Sequence, residues 1–199
     1  LVGLGADGAA GGPTAFGFCL AETPIPDPQV LPQDINARIE VETIAETRPE
    51  ANTLMQDLGN KLGVHKGAAL IIDYGHARSG FGDTFQAVKN HMPQHVLFNT
   101  GEADLTAHVD FAALITAAVS AGLETSPVVT QGAFLKALGI ETRAEKLMEN
   151  ASAAQSSDIK SAFDRLTGPQ QMGSLFKVLS VFTPGLAVSP GFEPEHERL

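Results

Sequence analysis

The spacing of apolar residues predicts a helix followed by a buried strand between residues 47 and 72. Thr47 and Glu50 have the spacing of a capping box, so the helix is expected to begin near Thr47 and to end at Gly63. Its apolar positions recur at helical intervals and form one face, made of Leu54, Met55, Leu58 and Leu62. Residues 68–72 are all apolar and follow a glycine, which predicts a strand buried on both faces, as in a parallel sheet.

The chain from residue 76 to residue 182 predicts further helices and strands. Residues 76–106 are rich in loop formers, with a short helix expected at 84–90. Asp110 is expected to cap a helix that ends at Gly122 and buries a stripe made of Phe111, Leu114, Ile115 and Ala118. A strand at 126–130, helices at 131–138, 141–150 and 153–166, and a last strand at 175–182 follow. Such alternation is typical of an α/β sheet.

The two ends of the chain differ in composition from its middle. Residues 1–20 are rich in glycine, and Asp7-Gly8 between two short apolar runs predicts a hairpin. Four prolines within residues 23–32 predict an extended linker, and the polar, proline-containing residues from Pro184 onward predict a tail. We therefore divide the chain into a hairpin and proline-rich segment at 1–46, a main domain at 47–184 and a tail at 185–199.

Charge, hydropathy and cysteine content argue against several classes of protein. The net charge of −10 gives a surface that should repel phosphate backbones, so we expect no nucleic-acid partner. No apolar run approaches the roughly 18 residues of a membrane-spanning helix, and the first residues do not have the pattern of a signal peptide. Cys19 is the only cysteine, so there is no internal disulfide and no cysteine cluster for zinc. These features favour a reducing intracellular compartment without membrane insertion.

Residues 3–8 match the G-x-G-x-x-G pattern of dinucleotide-binding loops. Such a loop needs a strand before it and a helix after it, so that the helix N-terminus meets the phosphates. Almost nothing precedes these glycines and Gly11-Gly12-Pro13 follows them, so no helix is predicted there. A hairpin turn accounts better for the pattern, and a dinucleotide-binding oxidoreductase is an alternative that rests on these residues alone.

Asp73 and Tyr74 stand where the predicted buried strand ends. In open α/β sheets ligands bind at the carboxyl ends of the strands, so the two residues mark a candidate site. In the alternative interpretation, Asp73 bonds loop amides and Tyr74 packs. Asp83 follows Gly82 in the next loop, where it either reaches back over the strand end or caps the helix predicted from Thr84. These residues by themselves name no reaction.

Several short motifs between residues 69 and 178 occur in a characteristic order and spacing. They are 69–75 (ALIIDYG), 82–88 (GDTFQAV), 103–111 (ADLTAHVDF), 131–135 (QGAFL), 138–140 (LGI) with Arg143, and 172–178 (MGSLFKV). In this arrangement they resemble the MidA family of class I methyltransferases, which includes the mitochondrial arginine methyltransferase of complex I assembly. The resemblance covers more than half of the chain.

The resemblance implies a seven-stranded Rossmann-like sheet that uses S-adenosylmethionine. Residues 70–73, 126–130 and 175–182 would be its fifth, sixth and antiparallel seventh strands. In this family the donor site consists of a Gly-rich loop after the first strand and an acidic residue after the second. Neither feature has a counterpart in this sequence. Residues 3–8 are not that loop, because they lie where the family has an insertion. We therefore expect a partial Rossmann-like α/β fold, the C-terminal half of a methyltransferase domain. The donor-binding half would be absent and the S-adenosylmethionine site would lie mostly outside this chain.

The resemblance also implies a protein arginine as methyl acceptor, at least in the mitochondrial branch. A guanidinium is held best by carboxylates that form paired hydrogen bonds with it. Asp73 and Asp83 are therefore the candidate clamp, with Tyr74 packing near the acceptor. The outer substrate-binding candidates are Gly75, Glu102 and Asp104.

The implied partner is a protein substrate that carries an arginine, and a homodimer is a further expectation. The implied compartment is the bacterial cytoplasm, or the mitochondrial matrix if the source is eukaryotic. An alternative from another functional class is a non-catalytic binding or assembly module, or an inactive fragment, which the absent donor half favours for this chain alone. Binding of S-adenosylmethionine would discriminate between the two.

Overall fold

The computed structural model describes residues 2–4, 16–18, 43–98 and 100–192. Its strands are β1 Val2–Leu4, β2 Phe16–Phe18, β3 Ala68–His76, β4 Gln86–Lys89, β5 Met92–Gln94, β6 Asp104–Thr106, β7 Val109–Asp110, β8 Glu124–Thr125, β9 Val129–Thr130 and β10 Phe176–Phe182. Its helices are α1 Glu50–His65, α2 Phe111–Ser120, α3 Gln131–Ala137, α4 Ile140–Met148, α5 Ala153–Thr167 and α6 Met172–Leu175.

The chain folds into two compact units. The first comprises Leu1–Thr47 and Gly80–His108, and the second comprises Arg48–Ser79 and Val109–Leu199. Residues 80–108 thus group with the N-terminal segment, and the division at residues 46 and 184 stays a prediction. The mixture of helices and strands agrees with the predicted α/β class.

The second unit is built on a sheet with the strand order β7-β3-β10-β8, in which β9 also pairs with β10. All seven residues of β10 pair antiparallel with β3, and β8 and β9 pair antiparallel with the opposite side of β10. β3 is therefore parallel in direction to β8 and β9, with the antiparallel β10 between them, as predicted. β7 pairs parallel to β3 at Gly75 and His76.

The strand predicted at 126–130 is interrupted, because β8 and β9 are separate. Ser126 donates its backbone N–H to the carbonyl of Ser180 at 2.9 Å, and its hydroxyl accepts the N–H of Ser180 at 2.9 Å. Pro127 has no N–H and cannot continue the ladder. Both serines are buried, so their mutual bonds satisfy polar groups that would otherwise be costly. The prediction of one continuous strand was therefore wrong.

Helices pack on both faces of β10 in this sheet. The core on the first face includes Met55 of α1, Phe111 and Leu114 of α2, and Leu179 and Val181 of β10. On the opposite face, Phe134 of α3 and Phe192 pack against Val178. Burial of each large apolar side chain contributes roughly 1.5–3 kcal/mol.

Helix α1 begins at Glu50 rather than near Thr47, and no side chain caps it. Pro49 precedes the helix, and the residue before a proline is disfavoured in the helical region, so a start at Thr47 was wrong. The helix also runs two residues past Gly63. Leu54 is exposed, because it lies about 100° around the helix from buried Met55.

The prediction that residues 68–72 are buried on both faces was also wrong for this chain. The side chains of Ala69 and Ile71 pack against the core made by α1 and α2. Leu70 and Ile72 point to the opposite face and are 49% and 45% exposed. Apart from the short pairing with β7, the described residues leave one edge of β3 open. An open apolar edge favours association with other chains. We therefore predict that a partner or residues 1–20 cover this edge, or that the chain is poorly soluble.

Residues 86–106 form an antiparallel sheet with the order β5-β4-β6, so the helix predicted at 84–90 was wrong. The turn between β4 and β5 places Asn90 and His91 at φ 52° and 63°. Two successive positive φ angles are typical of a tight hairpin turn, and Asn tolerates them. The other pair of strands in the first unit, β1 and β2, is antiparallel, as the predicted hairpin requires. The turn residues 5–15, the linker at 23–32 and the tail after 192 lie outside the described residues.

The remaining helix predictions are confirmed to within a few residues. Asp110 caps α2, and its carboxylate accepts the N–H of Ala113 at 3.0 Å. Gly122 and Gly139 follow α2 and α3 with φ of 79° and 85°. Helices α4 and α5 lie near the predicted ranges. Within the described ranges, no helix is long and apolar enough to cross a bilayer.

Substitution of Gly75 by alanine is expected to destabilise the second unit. A Cβ at this position would overlap the backbone carbonyl of Val109, at the point where β3 and β7 pair. Because a backbone carbonyl within a strand pair cannot easily move, we expect the free energy of unfolding to fall by about 1–3 kcal/mol. Urea unfolding followed by circular dichroism measures this loss. The matched control is Gly63→Ala in α1, where nothing lies within 4 Å of the new methyl group. It should stabilise the helix by up to about 1 kcal/mol, and equal stability of the two variants would contradict the argument.

Candidate functional site

The residues predicted to form a site lie in both units. Asp73, Tyr74 and Gly75 belong to the second unit. Asp83, Glu102 and Asp104 belong to the first unit. The convergence of Asp73 and Asp83 on one substrate therefore stays a prediction.

Asp73 lies within β3, three residues before the strand ends at His76. Its carboxylate accepts the backbone N–H of Tyr74 at 2.8 Å. Lys177 is its cross-strand neighbour in β10, but the ammonium of Lys177 donates to the carbonyls of Ser174 and Leu175 at 2.5 and 3.2 Å. Partial burial lowers the pKa of Lys177 below its ordinary value. The alternative interpretation expected Asp73 to bond loop amides, whereas the amide that it binds lies within β3.

Tyr74 packs edge-on against Phe176, with the ring centroids 5.4 Å apart. The two residues face each other across the β3–β10 pair, so strand register brings the rings together. Tyr74 thus has a packing role in the structure. A contact with substrate as well stays a prediction.

One histidine–aspartate pair at this end of the sheet was not predicted from the sequence. The parallel pairing of β3 with β7 aligns His76 with Asp110, and their Nε2 and Oδ2 atoms lie 3.8 Å apart. Asp110 uses its other carboxylate oxygen to cap α2. His76 directly follows the motif at 69–75, and Asp110 belongs to the motif at 103–111. The sequence therefore draws attention to both segments, but only the sheet shows that they meet.

In the first unit, Asp83 is exposed and precedes β4. The capping alternative for Asp83 is wrong, because no helix begins at Thr84. Instead Thr84 is held by Glu46, whose carboxylate accepts both its hydroxyl and, at 2.8 Å, its backbone N–H. The hydroxyl oxygen of Thr84 in turn accepts the N–H of His108 at 2.9 Å. These bonds fix the segment that carries Asp83, and the sequence analysis had no signal for Glu46.

Glu102 lies just before β6 and pairs with Lys89 of β4. Its carboxylate accepts a hydrogen bond from the ammonium of Lys89. This hydrogen bond, and then the charge of Lys89, lower the pKa of Glu102 below its ordinary value. Asp104 is exposed at the start of β6, opposite Val88. Glu102 is therefore less available to a substrate than the sequence analysis assumed, and a role for Asp104 stays a prediction.

The first unit contains a small cleft next to Asp83. Its volume is about 250 Å³, and its lining includes Phe18, Phe85, Gln94 and His95. The side-chain nitrogen of Gln94 is buried and has no hydrogen-bond partner among the described residues. Of the lining residues, only Asp83 was predicted to belong to a site, since nothing in their spacing along the sequence indicates that they meet.

The second unit has a shallow groove of about 470 Å³ between α3 and α4. Its lining includes the apolar Leu138 and Leu147 and the cations Arg143 and Lys146. Two cations would repel a guanidinium, so this groove does not suit an arginine side chain.

Only the start of the glycine pattern at 3–8 belongs to the described residues. Gly3 lies in β1 and pairs with Gly17 of β2. A donor loop connects a strand to a helix N-terminus, and residues 5–15, where such a helix would begin, lie outside the described residues. The absence of the family's donor site therefore stays a prediction. In the part of the chain that the structure describes, no three His, Cys, Asp or Glu side chains are grouped to hold a metal ion.

Comparison with known proteins relates this chain to methyltransferases. Residues 2–129 match the model of a family described as "Putative S-adenosyl-L-methionine-dependent methyltransferase". The mitochondrial protein arginine methyltransferase NDUFAF7 of Danio rerio is 34% identical over 169 residues, which are 85% of this chain and 39% of that protein. The Homo sapiens protein of the same name is 30% identical over 82% of this chain and 36% of its own length. The chain thus spans less than two fifths of the length of these curated relatives.

Two solved structures from Burkholderia thailandensis are also similar. One is an uncharacterized protein that aligns with a TM-score of 0.65 at 26% identity, over 75% of this chain and 41% of that one. The other belongs to the same superfamily and was crystallised with S-adenosyl-homocysteine. It aligns with a TM-score of 0.61 at 26% identity, over 70% of this chain and 37% of that one.

Replacement of Lys89 by methionine should raise the pKa of Glu102 toward its ordinary value, since the hydrogen bond and charge that lower it are lost. A group whose pKa is depressed on folding stabilises the fold above its unfolded pKa, and this stabilisation is lost as the pH falls through the folded value. Any difference in stability between wild type and variant should therefore vanish in acid. Carbon-13 NMR titration of Glu102 measures the shift, and Lys61→Met on exposed α1 is the control. An unchanged titration in the Lys89 variant would contradict the pairing.

Proposed function

Because this chain belongs to the family of S-adenosyl-L-methionine-dependent methyltransferases, we propose that the protein methylates an arginine of a protein substrate with S-adenosylmethionine as donor. The observation that carries the proposal is the similarity along 85% of the chain to a relative named as a protein arginine methyltransferase. The S-adenosyl-homocysteine in a structural neighbour supports the choice of donor, since this molecule is what remains of the donor after methyl transfer.

We further propose that β3, β8 with β9, and β10 are the fifth, sixth and seventh strands of a Rossmann-like methyltransferase sheet. The antiparallel β10 between two strands of common direction supports this assignment. The donor site would then lie mostly outside these 199 residues. The sequence supports this as well, because residues 3–8 lack the strand before them and the helix after them that a donor loop needs.

For the acceptor, Asp73 and Asp83 are proposed to hold the guanidinium of the substrate. Carboxylates match the planar fork of a guanidinium through paired hydrogen bonds, and they fix the direction in which its nitrogens point. Tyr74 would pack near the acceptor, and the proposed outer contacts are Gly75, Glu102 and Asp104. Correct positioning of the acceptor is a large part of what a transferase supplies to the reaction.

The relatives are named as mitochondrial proteins, which supports the mitochondrial matrix as the compartment if the source is eukaryotic. The bacterial cytoplasm is the corresponding proposal for a bacterial source. A role in the assembly of respiratory complex I and a homodimeric state are carried over from the family resemblance as proposals. A non-catalytic assembly module is the rival function, favoured by the lack of a recognisable donor loop.

Calorimetry with S-adenosylmethionine tests the placement of the donor site. The 199-residue chain is expected to show no binding, because its sequence has no counterpart of the family's Gly-rich donor loop. The protein encoded by the complete reading frame is expected to bind. A micromolar dissociation constant for the 199-residue chain, roughly −8 kcal/mol, would contradict the placement. Absence of binding by the complete protein would favour the assembly module.

Asp73→Asn and Asp83→Asn in the complete protein test the proposed clamp. Loss of a clamp carboxylate should lower the methylation rate on the order of a hundredfold, about 2.7 kcal/mol of transition-state stabilisation, and leave the melting temperature nearly unchanged. Radioactive methyl transfer and thermal melting are measured together. Asp57→Asn, an exposed charge on α1, is the matched control and should change neither quantity. If both site variants lose stability and keep their rate, the site assignment is wrong and only the family assignment remains.

A further inference from the structure

We infer that the cleft of the first unit binds the arginine side chain of the substrate, with its guanidinium between the Asp83 carboxylate and the rings of Phe18 and Phe85. The inference rests on the proposed function, because an arginine substrate is what gives the cleft its ligand. It adds two residues for substrate recognition, Phe18 and Phe85. Phe85 lies in the motif at 82–88, but the family resemblance gave it no role.

The charge of the cleft selects a cation. Among the described residues that line it, Asp83 is the only carboxylate and none is Lys or Arg. The Nδ1 of His95, which also lines the cleft, accepts the backbone N–H of Leu97 at 3.2 Å. The groove of the second unit, with Arg143 and Lys146, offers the opposite charge.

The aromatic residues select a guanidinium over a compact ammonium. Phe18 and Phe85 are 59% and 41% exposed, so both rings are available to a ligand. A planar guanidinium stacks on an aromatic face and is more weakly hydrated than an ammonium, so it gains more from this contact. Each such contact is worth about 0.5–1 kcal/mol at an exposed site.

Gln94 also lines the cleft, and its position is well defined, because it pairs in β5 with Ala87, which is fully buried in β4. Its side-chain nitrogen is buried, so we assign it no contact with the ligand. The backbone amide of Gln94 lies beside the cleft and can therefore report on ligand binding.

The size of the cleft agrees with a single side chain as ligand. Its volume of about 250 Å³ lies below the roughly 300–1,000 Å³ that is typical of sites for whole small molecules. A cofactor as large as S-adenosylmethionine would exceed it. The guanidinium of one arginine side chain combines the positive charge and the planar group that the cleft can bind.

The test is an NMR titration of the nitrogen-15-labelled 199-residue chain with Nα-acetyl-arginine N-methylamide. This probe carries a guanidinium and two amide carbonyls and needs no methyl donor. Binding is expected on the order of 1 mM, with saturable shifts of the amide signals of Phe85 and Gln94. The citrulline analogue, which is neutral and nearly isosteric, should bind at least tenfold more weakly. Equal binding of the two probes, or shifts confined to other residues, would overturn the inference.

Variants of the same chain complete the test. Asp83→Asn should weaken arginine binding at least tenfold, and Phe85→Ala should weaken it severalfold. The matched controls are Asp57→Asn and Phe98→Ala, an exposed charge and an exposed ring that do not line the cleft. The spectrum of each variant reports whether it is folded. Unchanged affinity in folded Asp83→Asn would overturn the inference.

The methylation assay separates this inference from the proposed function. If the complete protein methylates arginine but the probe does not shift the cleft residues, the cleft inference fails and the proposed function stands. If the probe binds in the cleft but the complete protein transfers no methyl group, the proposed activity fails and the arginine site stands.

Discussion

The antiparallel pairing of β10 with β3 is the interaction on which the second unit depends. It runs along all seven residues of β10, and its register decides which side chains share a face. Leu179 and Val181 face the core formed with α1 and α2, whereas Val178 faces Phe134 and Phe192. A shift of this register by one residue would exchange the two faces and expose both sets. The same register places Tyr74 against Phe176.

The pairing also leaves β3 with one uncovered face. β10 is buried on both faces because α1, α2 and α3 all pack around it, but α3 does not reach as far as Leu70 and Ile72. The described residues thus leave an apolar strip beside a strand edge that only β7 partly occupies. Such a strip is costly in water. The apolar sequence of β3 is typical of a strand that is buried on both faces. Because the described residues cover only one of its faces, the side chains on the other face are exposed.

The candidate substrate residues are held by two kinds of constraint. In the second unit, strand register places Asp73, Tyr74 and Gly75, and Gly75 is required because Val109 leaves no room for a Cβ. In the first unit, the Glu46 carboxylate and the Thr84 hydroxyl hold the segment before β4, which carries Asp83. Both kinds of constraint keep side chains in place before a substrate arrives, as positioning of an arginine would require.

Much of the second unit could be predicted from the sequence alone, because its signals are local. The periodic apolar stripe of α2 and its Asp110 cap, the glycines that end α2 and α3, and the apolar run of β3 each depend on neighbours only a few residues away. The motifs around Asp73 and Asp83 also lie in short segments, which is why the family resemblance was visible.

Tertiary structure decided the features that join distant segments. The strands at 86–106 have little apolar periodicity, and only their mutual pairing makes a sheet of them. Glu46 is 38 residues from the Thr84 that it binds, and Phe18 is farther still from the other residues of the cleft. The exposure of Ile72 likewise depends on what packs beside β3, which its own sequence does not contain. The sequence by itself determined the local elements and the family, because propensity and spacing act over a few residues. The faces left open, the pairing partners and the cleft depend on long-range contacts, which no local pattern specifies.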